Sequence, residues 1–301
     1  MAVPEIQLST WANQGSITTS SKTYESIKNC IDGINWNADI SYDIYLQGSY
    51  KNSTNIYGNS DVDIVVEFQS SFFSDTSNLD AIGKEVHNSF GPGKYTLESF
   101  KKAIVKRLEE NYGENSINVG SKAIKITGTT SRLEADVVVC NTYKKYLKNN
   151  GSKNLTAIKG IIFTDNDNGE RIVNYPKVHY ENGVNKNQNF RTSANYKSTV
   201  RIFRNMKANL VLSGKIDSNL APSYFVECLV YNGKDNCFTQ NTYQLRVYRL
   251  LKQFMDDFED NSVDKYVCQN EQRWLFGNGN QQWKKENAKK FLEQVIALWN
   301  K

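Results

Sequence analysis

The run Ser60-Asp61-Val62-Asp63-Ile64-Val65-Val66-Glu67-Phe68 places two carboxylates two residues apart at the opening of an apolar stretch. Side chains on a strand alternate between faces, so Asp61 and Asp63 project together while Val62, Ile64, Val66 and Phe68 point into a core. Two carboxylates held side by side repel each other unless a cation lies between them. Hard oxygen ligands of this kind suit Mg²⁺, which keeps several waters and completes its shell with substrate phosphates. Upstream, Leu46-Gln47-Gly48-Ser49 reads as a turn. Its backbone N–H groups and hydroxyl can approach a triphosphate closely. The pattern predicts nucleotidyl transfer. An isolated D-x-D also arises by chance, in turns and in metal-dependent glycosyltransferases; the Gly-Ser before this one and the apolar strand after it set it apart.

Such chemistry asks for a third acid. Arg132-Leu133-Glu134-Ala135-Asp136-Val137-Val138-Val139-Cys140 alternates as a strand, with Leu133, Ala135, Val137 and Val139 on one face and Glu134, Asp136 and Val138 on the other. In a two-metal mechanism one ion activates the attacking hydroxyl and the other stabilises the leaving group. Asp61 and Asp63 are expected to bridge two Mg²⁺ ions, with Mn²⁺ as a substitute. Asp136 is expected to complete the nucleophile-side site and take the hydroxyl proton.

The elements that must hold these residues divide the chain in two. A helix is predicted from about Thr23 to Ile31, a strand at Asp43–Leu46 and a second from Asp61 to Phe68. After a turn at Phe90-Gly91-Pro92-Gly93, a helix is predicted over Leu97–Tyr112 with Phe100, Ile104, Val105 and Leu108 inward. Strands follow at 117–119, 123–127, 133–140, 158–164 and 171–173. Helices are predicted at 199–212, 224–231, 242–258 and 283–299. The polar, Asn-rich stretch from Glu181 to Asn189 marks the junction. The expected fold is α+β: a mixed sheet with flanking helices over residues 1–184, then a helical domain over 185–301.

Composition narrows the classes. The chain has 301 residues, enough for a sizeable core. No run approaches the roughly 18 apolar residues that span a bilayer, and no signal-peptide core is visible at the N-terminus. Five cysteines without C-x-x-C spacing argue against a disulfide framework and a structural zinc site. With His87 and His179 the only histidines, a His-dependent triad has little to work with. The expected compartment is a reducing cytoplasm. The formal net charge is +5, and the cations cluster: Lys101, Lys102, Lys106 and Arg107; Lys144, Lys145, Lys148 and Lys153; Lys284, Lys285, Lys289 and Lys290. Such clusters bind phosphate backbones or are simply solvated faces.

Gly48-Ser49, the Asp61/Asp63 pair and Asp136 together resemble the polymerase-β-like nucleotidyltransferase superfamily. The helical half contributes Tyr196-Lys197, Arg201-Ile202-Phe203-Arg204-Asn205-Met206-Lys207 and Pro222-Ser223-Tyr224-Phe225-Val226-Glu227-Cys228-Leu229. These residues narrow the resemblance to the CD-NTases, bacterial relatives of cyclic GMP–AMP synthase, and to their CdnE-like branch in the CBASS anti-phage systems. The resemblance covers most of the chain. It implies synthesis of a cyclic di- or trinucleotide from NTPs, ATP among them, in a cleft between the two halves, and a separate effector protein that responds to the product.

By the same resemblance, Gln47, Gly48 and Ser49 bind the nucleotide, Arg204 or Lys207 holds the donor triphosphate, Ser223 contacts phosphate and Tyr224 stacks on the base. Ser223 after Pro222 also fits a helix N-cap. The sequence departs from the family at the usual donor-phosphate lysine, where Arg204 stands with Lys207 one turn on. No zinc thumb is readable. Some relatives are activated by double-stranded nucleic acid on a basic surface, and Lys101, Lys102, Lys106 and Arg107 are the expected RNA-binding residues here. An RNA-extending transferase and a protein-nucleotidylating enzyme would share the core. A non-catalytic nucleic-acid-binding module would have no use for three matched carboxylates.

Overall fold

Strands β1 (Tyr42–Leu46), β2 (Val62–Asp75), β3 (Ile117–Val119), β4 (Ile124–Ile126), β5 (Ala135–Tyr146), β6 (Ala157–Thr164) and β7 (Arg171–Asn174) form one seven-stranded sheet. The computed structural model describes residues 2–58 and 61–300, so Ser60 of the acidic motif lies outside the described residues. The sheet runs β1-β2-β5-β4-β3, and β6 pairs with both β5 and β7. All pairs are antiparallel except β2 with β5. A parallel pair needs a crossover, and residues 76–134 supply it with the helices Ala81–Asn88 and Leu97–Tyr112.

Alternation in the sequence builds the sheet's principal core. Val62, Ile64, Val66 and Phe68 of β2 and Ala135, Val137 and Val139 of β5 share one face. Against it pack Ile27 and Ile31 of the helix Thr18–Asp32 and Phe100, Ile104 and Leu108 of Leu97–Tyr112. The latter helix has the expected bounds, because Thr96 accepts the Ser99 N–H at 3.2 Å and Gly113, at φ +87°, ends it. The opposite face is buried too. Val65, Val138 and Cys140 pack with Ile161, Phe163 and Ile172, as strands of a parallel pair commonly are on both sides. β2 runs to Asp75, beyond the expected Phe68, because a bulge lifts residues 69–71 out of the ladder before pairing resumes at Phe72–Thr142.

Two units emerge, and they interleave along the chain. The sheet unit comprises Ser16–Tyr50 and Asp61–Val178; the helical unit comprises Met1–Gly15, Lys51–Ser60 and His179–Lys301. A single division at 184/185 thus differs from this arrangement in the two early excursions and in the boundary itself, which falls at 178/179. The helix Glu5–Ala12 was not expected, and at eight residues it is too short to persist alone. It is held by Leu8 and Ala12 in the helical core, by Arg201 Nε donating to Ala12 O at 2.6 Å and by Asn205 Nδ2 donating to Trp11 O at 3.0 Å. Glu5 in turn caps the helix Tyr243–Glu259, accepting the N–H groups of Tyr243 and Gln244 at 2.7 and 2.8 Å.

The stretch read as a junction is largely helix, Pro176–Lys186. Two of its polar residues face inward: Asn182 donates to Gln269 O, and the buried Lys186 donates to Gly233 O and to the Asp235 carboxylate, each within 3.0 Å. The remaining long helices, Tyr196–Leu212, Ser223–Tyr231 and Lys285–Trp299, enclose a core that includes Phe203, Phe225, Phe254 and Phe291. No helix among the described residues is long and apolar enough to cross a membrane.

Candidate active site

In the sheet unit the parallel register sets Asp63 of β2 directly opposite Asp136 of β5. The two acids are 73 residues apart in sequence, and the alternation of each strand directs both away from the principal core. Asp61 stands one residue before β2 and is exposed, whereas Asp63 and Asp136 are half-buried. The residue after Asp61 is tied to the same ladder, since Val62 N donates to Glu134 O at 2.9 Å.

Burial pushes the Asp136 carboxyl above its ordinary value. The charge of Lys125, its register partner on β4, works against that shift, while Asp61 and Glu134 add to it. Asp61 and Asp136 therefore feel each other, and ionising the third acid costs more here than in water. Lys125 was not singled out in the sequence, because only the β4–β5 pairing brings it to Asp136.

Gly48 lies against this cluster. Its φ is +64°, and a Cβ there would stand 2.1 Å from Asp63 Oδ2. Only glycine fits both the backbone and the space. Gln47 N donates to Asp63 O at 2.9 Å, which fixes the segment to β2. Gly48 and Ser49 do not form an isolated turn as expected; they open the short helix Gly48–Asn52. Tyr50 follows, its hydroxyl pushed up by burial and then by the Asp61 charge.

The other expected nucleotide-binding residues belong to the helical unit. Arg204 is 6% exposed, and its Nη1 donates to Thr54 O at 2.8 Å. Thr54 Oγ1 donates to the buried Glu227, which also pairs with His179 Nε2 at 3.3 Å. Burial alone would raise the Glu227 carboxyl, but His179, Arg204 and Thr54 together hold it below its ordinary value. Lys207, one turn on, is half-exposed, its ammonium lowered by burial and then by Arg204. Of the two cations, Arg204 is thus committed to the protein interior.

Ser223 is the first residue of its helix and the N-cap position falls to Pro222, with no side-chain cap. Tyr224 is 41% exposed, with its ring stacked on His179 at 5.2 Å and tilted against Trp283 at 5.7 Å. An aromatic ring so held is a rigid surface for a flat ligand. Tyr180 has the ammonium groups of Lys51 and Lys197 at 4.5 and 5.5 Å from its centroid, a basic cluster assembled from three separate segments.

The expected RNA-binding helix is less bare than its sequence suggests. Lys102 pairs with Glu98 at 2.7 Å, Lys106 approaches Glu110 at 3.9 Å, and Arg107 donates to Cys30 O while lying 4.0 Å from Glu110. Lys101 is half-buried, and burial lowers its ammonium.

Residues 181–300 match the family described as the cGAS/DncV-like nucleotidyltransferase C-terminal helical domain. Across its whole length the chain is 38% identical to cyclic nucleotide synthase CdnE01 of Staphylococcus haemolyticus, covering 99% of that protein. It is 41% identical to the cyclic UMP-AMP synthase of Rhodothermus marinus over 99% of this chain and 98% of that protein. The Rhodothermus marinus CdnE structure solved with Apcpp and Upnpp superimposes with a TM-score of 0.88 at 40% identity, over 99% of this chain and 97% of that one. The chain is therefore a nucleotidyltransferase that belongs to the cGAS/DncV-like family, and it groups with the CdnE cyclic nucleotide synthases.

Proposed function

We propose that this enzyme joins NTPs into a cyclic di- or trinucleotide that signals phage infection to a separate effector protein. The observation that carries the chemistry is the register pairing of Asp63 with Asp136, with Asp61 close enough to raise the proton affinity of Asp136. The donor set is all carboxylate oxygen, which fits Mg²⁺ or Mn²⁺. Among the described residues no three His, Cys, Asp or Glu side chains form a ready-made cage. An ion held by one or two of these carboxylates would fill its shell with water and substrate phosphates. Bound there, two such ions would activate the attacking hydroxyl and neutralise the leaving pyrophosphate.

The chain's own residues do the rest. Asp61 and Asp63 anchor the donor end of the site, and Asp136 orients the acceptor 2′- or 3′-hydroxyl and takes its proton. Gln47, Gly48 and Ser49 cradle the donor triphosphate. Lys207 is the cation for that triphosphate, since Arg204 is occupied within the helical core. Ser223 contacts phosphate, and Tyr224, backed by His179, stacks on a base.

The test is incubation with Mg²⁺ and all four NTPs, with and without duplex RNA, then phosphatase treatment and mass spectrometry. All four are offered because similar proteins are named for UMP-AMP, dipurine and dipyrimidine products. A phosphatase-resistant product with the mass of a cyclic oligonucleotide is expected; lengthened RNA or a labelled polypeptide instead would overturn the reading. Product that requires RNA and falls steeply with salt would support an RNA activator. The ion pairs on Leu97–Tyr112 are exposed and worth about 0.2–1 kcal/mol each, so a phosphate backbone could displace them cheaply.

Gly48→Ala should keep the fold and lose turnover. A left-handed backbone costs alanine about 1–2 kcal/mol, and the new Cβ forces the Asp63 carboxylate aside. Displacing a reacting group by about 1 Å can cost about 100-fold in rate. Pyrophosphate release should fall by that order while circular dichroism is unchanged. Undiminished turnover would remove Gly48 from the site.

A further inference from the structure

Lys144 of β5 and Lys159 of β6 face one another in register. Directly opposed residues of an antiparallel pair project from the same face, where like charges are destabilising. Among the described residues neither has a carboxylate partner within ion-pair distance. Lys144 is half-buried with its ammonium 3.6 Å from the centroid of Phe72, and burial, then Lys159, lowers its proton affinity. Both lysines line a recess of about 230 Å³ beside the β2 bulge, together with Glu67, Gln69, Thr142 and Lys177. They also line an adjoining recess of about 340 Å³ that holds Lys153.

The one acid in the first recess is already committed. Glu67 is 5% exposed; its oxygens accept from Thr142 Oγ1 at 2.6 Å, Tyr45 OH at 3.1 Å and Lys177 Nζ at 3.3 Å. Lys177 is shared with Asp43 at 2.8 Å. Glu67 and Asp43 thus both turn to Lys177, and the charge that acts on Lys144 is that of Lys159. The nearby ring faces are covered as well, Phe72 by Lys144 and Tyr45 by Lys177 at 4.2 Å. Phe90 and Tyr146 line the adjoining recess, not the first. Lys144 lies eight residues along β5 from Asp136, about 26 Å at a strand's rise, beyond the reach of a triphosphate bound at the carboxylates.

We propose that Lys144 and Lys159 form a second anion site, which binds the di- or triphosphate chain of a phosphorylated small molecule. An anion between them relieves the repulsion that the empty protein bears, and its recognition is of phosphate rather than base. The recess position of Lys144 favours a free terminal phosphate over a duplex backbone. The inference does not depend on the product the enzyme makes.

The experiment is thermal unfolding and titration calorimetry of the full chain in EDTA, with sodium tripolyphosphate as probe and sodium chloride at matched ionic strength as control. Tripolyphosphate should raise the wild-type midpoint. In Lys144→Gln/Lys159→Gln the ligand-free midpoint should equal or exceed that of wild type, and tripolyphosphate should bind about 100-fold more weakly, from two lost charge-assisted contacts. Lys207→Ala should keep the part of the response that the double glutamine variant loses, which separates this site from the donor site. No response in wild type, or an equal response in the double glutamine variant, overturns the proposal. Lysine-dependent binding of duplex RNA without binding of tripolyphosphate overturns the ligand class.

Discussion

Asp61→Ala combined with Asp63→Ala is expected to abolish product while leaving the fold intact or slightly more stable. Metal-assisted phosphoryl transfer draws several kcal/mol from charge stabilisation at such acids, so a loss of about 10⁴-fold in rate is the expected scale. The same carboxylates are unfavourable without cations, since burial and Asp61 both oppose ionisation of Asp136. Removing them relieves that repulsion. The measurement is pyrophosphate release beside a melting curve in EDTA. Retained synthesis with an unchanged melting point would sink the assignment of these acids.

The second large effect falls on stability. Glu227 is 4% exposed and is the anion that Arg204, His179 and Thr54 surround. Glu227→Ala removes the anion that offsets the buried Arg204 charge and adjoins His179, and removing the counter-charge of a buried charged group typically costs about 3–5 kcal/mol. Arg204→Ala should do comparable damage from the other side. Lys207→Ala should leave the melting point alone and raise the donor NTP KM about tenfold, the loss of one charge-assisted phosphate contact. The pattern would reverse if Arg204 gripped the triphosphate and Lys207 were structural. Acid gives an independent check. A carboxyl held below its unfolded value contributes stability that is present above the unfolded value and fades as pH falls through the folded one. Wild type should therefore lose stability in acid more steeply than Glu227→Gln, and parallel curves would rule the network out as a stabilising element.

Local periodicity carried much of the fold. The alternation around Asp61 and Asp63 and around Asp136 placed Val62, Ile64, Val66, Ala135, Val137 and Val139 in one core, where they are. The helix Leu97–Tyr112 was legible from its apolar spacing, and the Thr96 cap and terminal Gly113 found in the structure agree with it. Features that rest on distant partners were not. Glu5–Ala12 has too few turns to be helical on its own account, and its partners lie about 190 to 240 residues away. The polar run at 181–189 resembled a linker because composition does not reveal that Asn182 and Lys186 satisfy buried carbonyls.

The same division holds for the site. By itself the sequence pointed to nucleotidyl transfer, the family's activity, through acids at strand period and a glycine-serine pair. The tertiary structure decided which atoms meet. Register between strands set Asp63 opposite Asp136, a positive φ pressed Gly48 onto Asp63, and burial turned Arg204 inward and left Lys207 half-exposed. Each of these depends on pairing or packing between segments far apart in the chain, and a pattern of neighbours along a sequence does not encode which distant face a residue will meet.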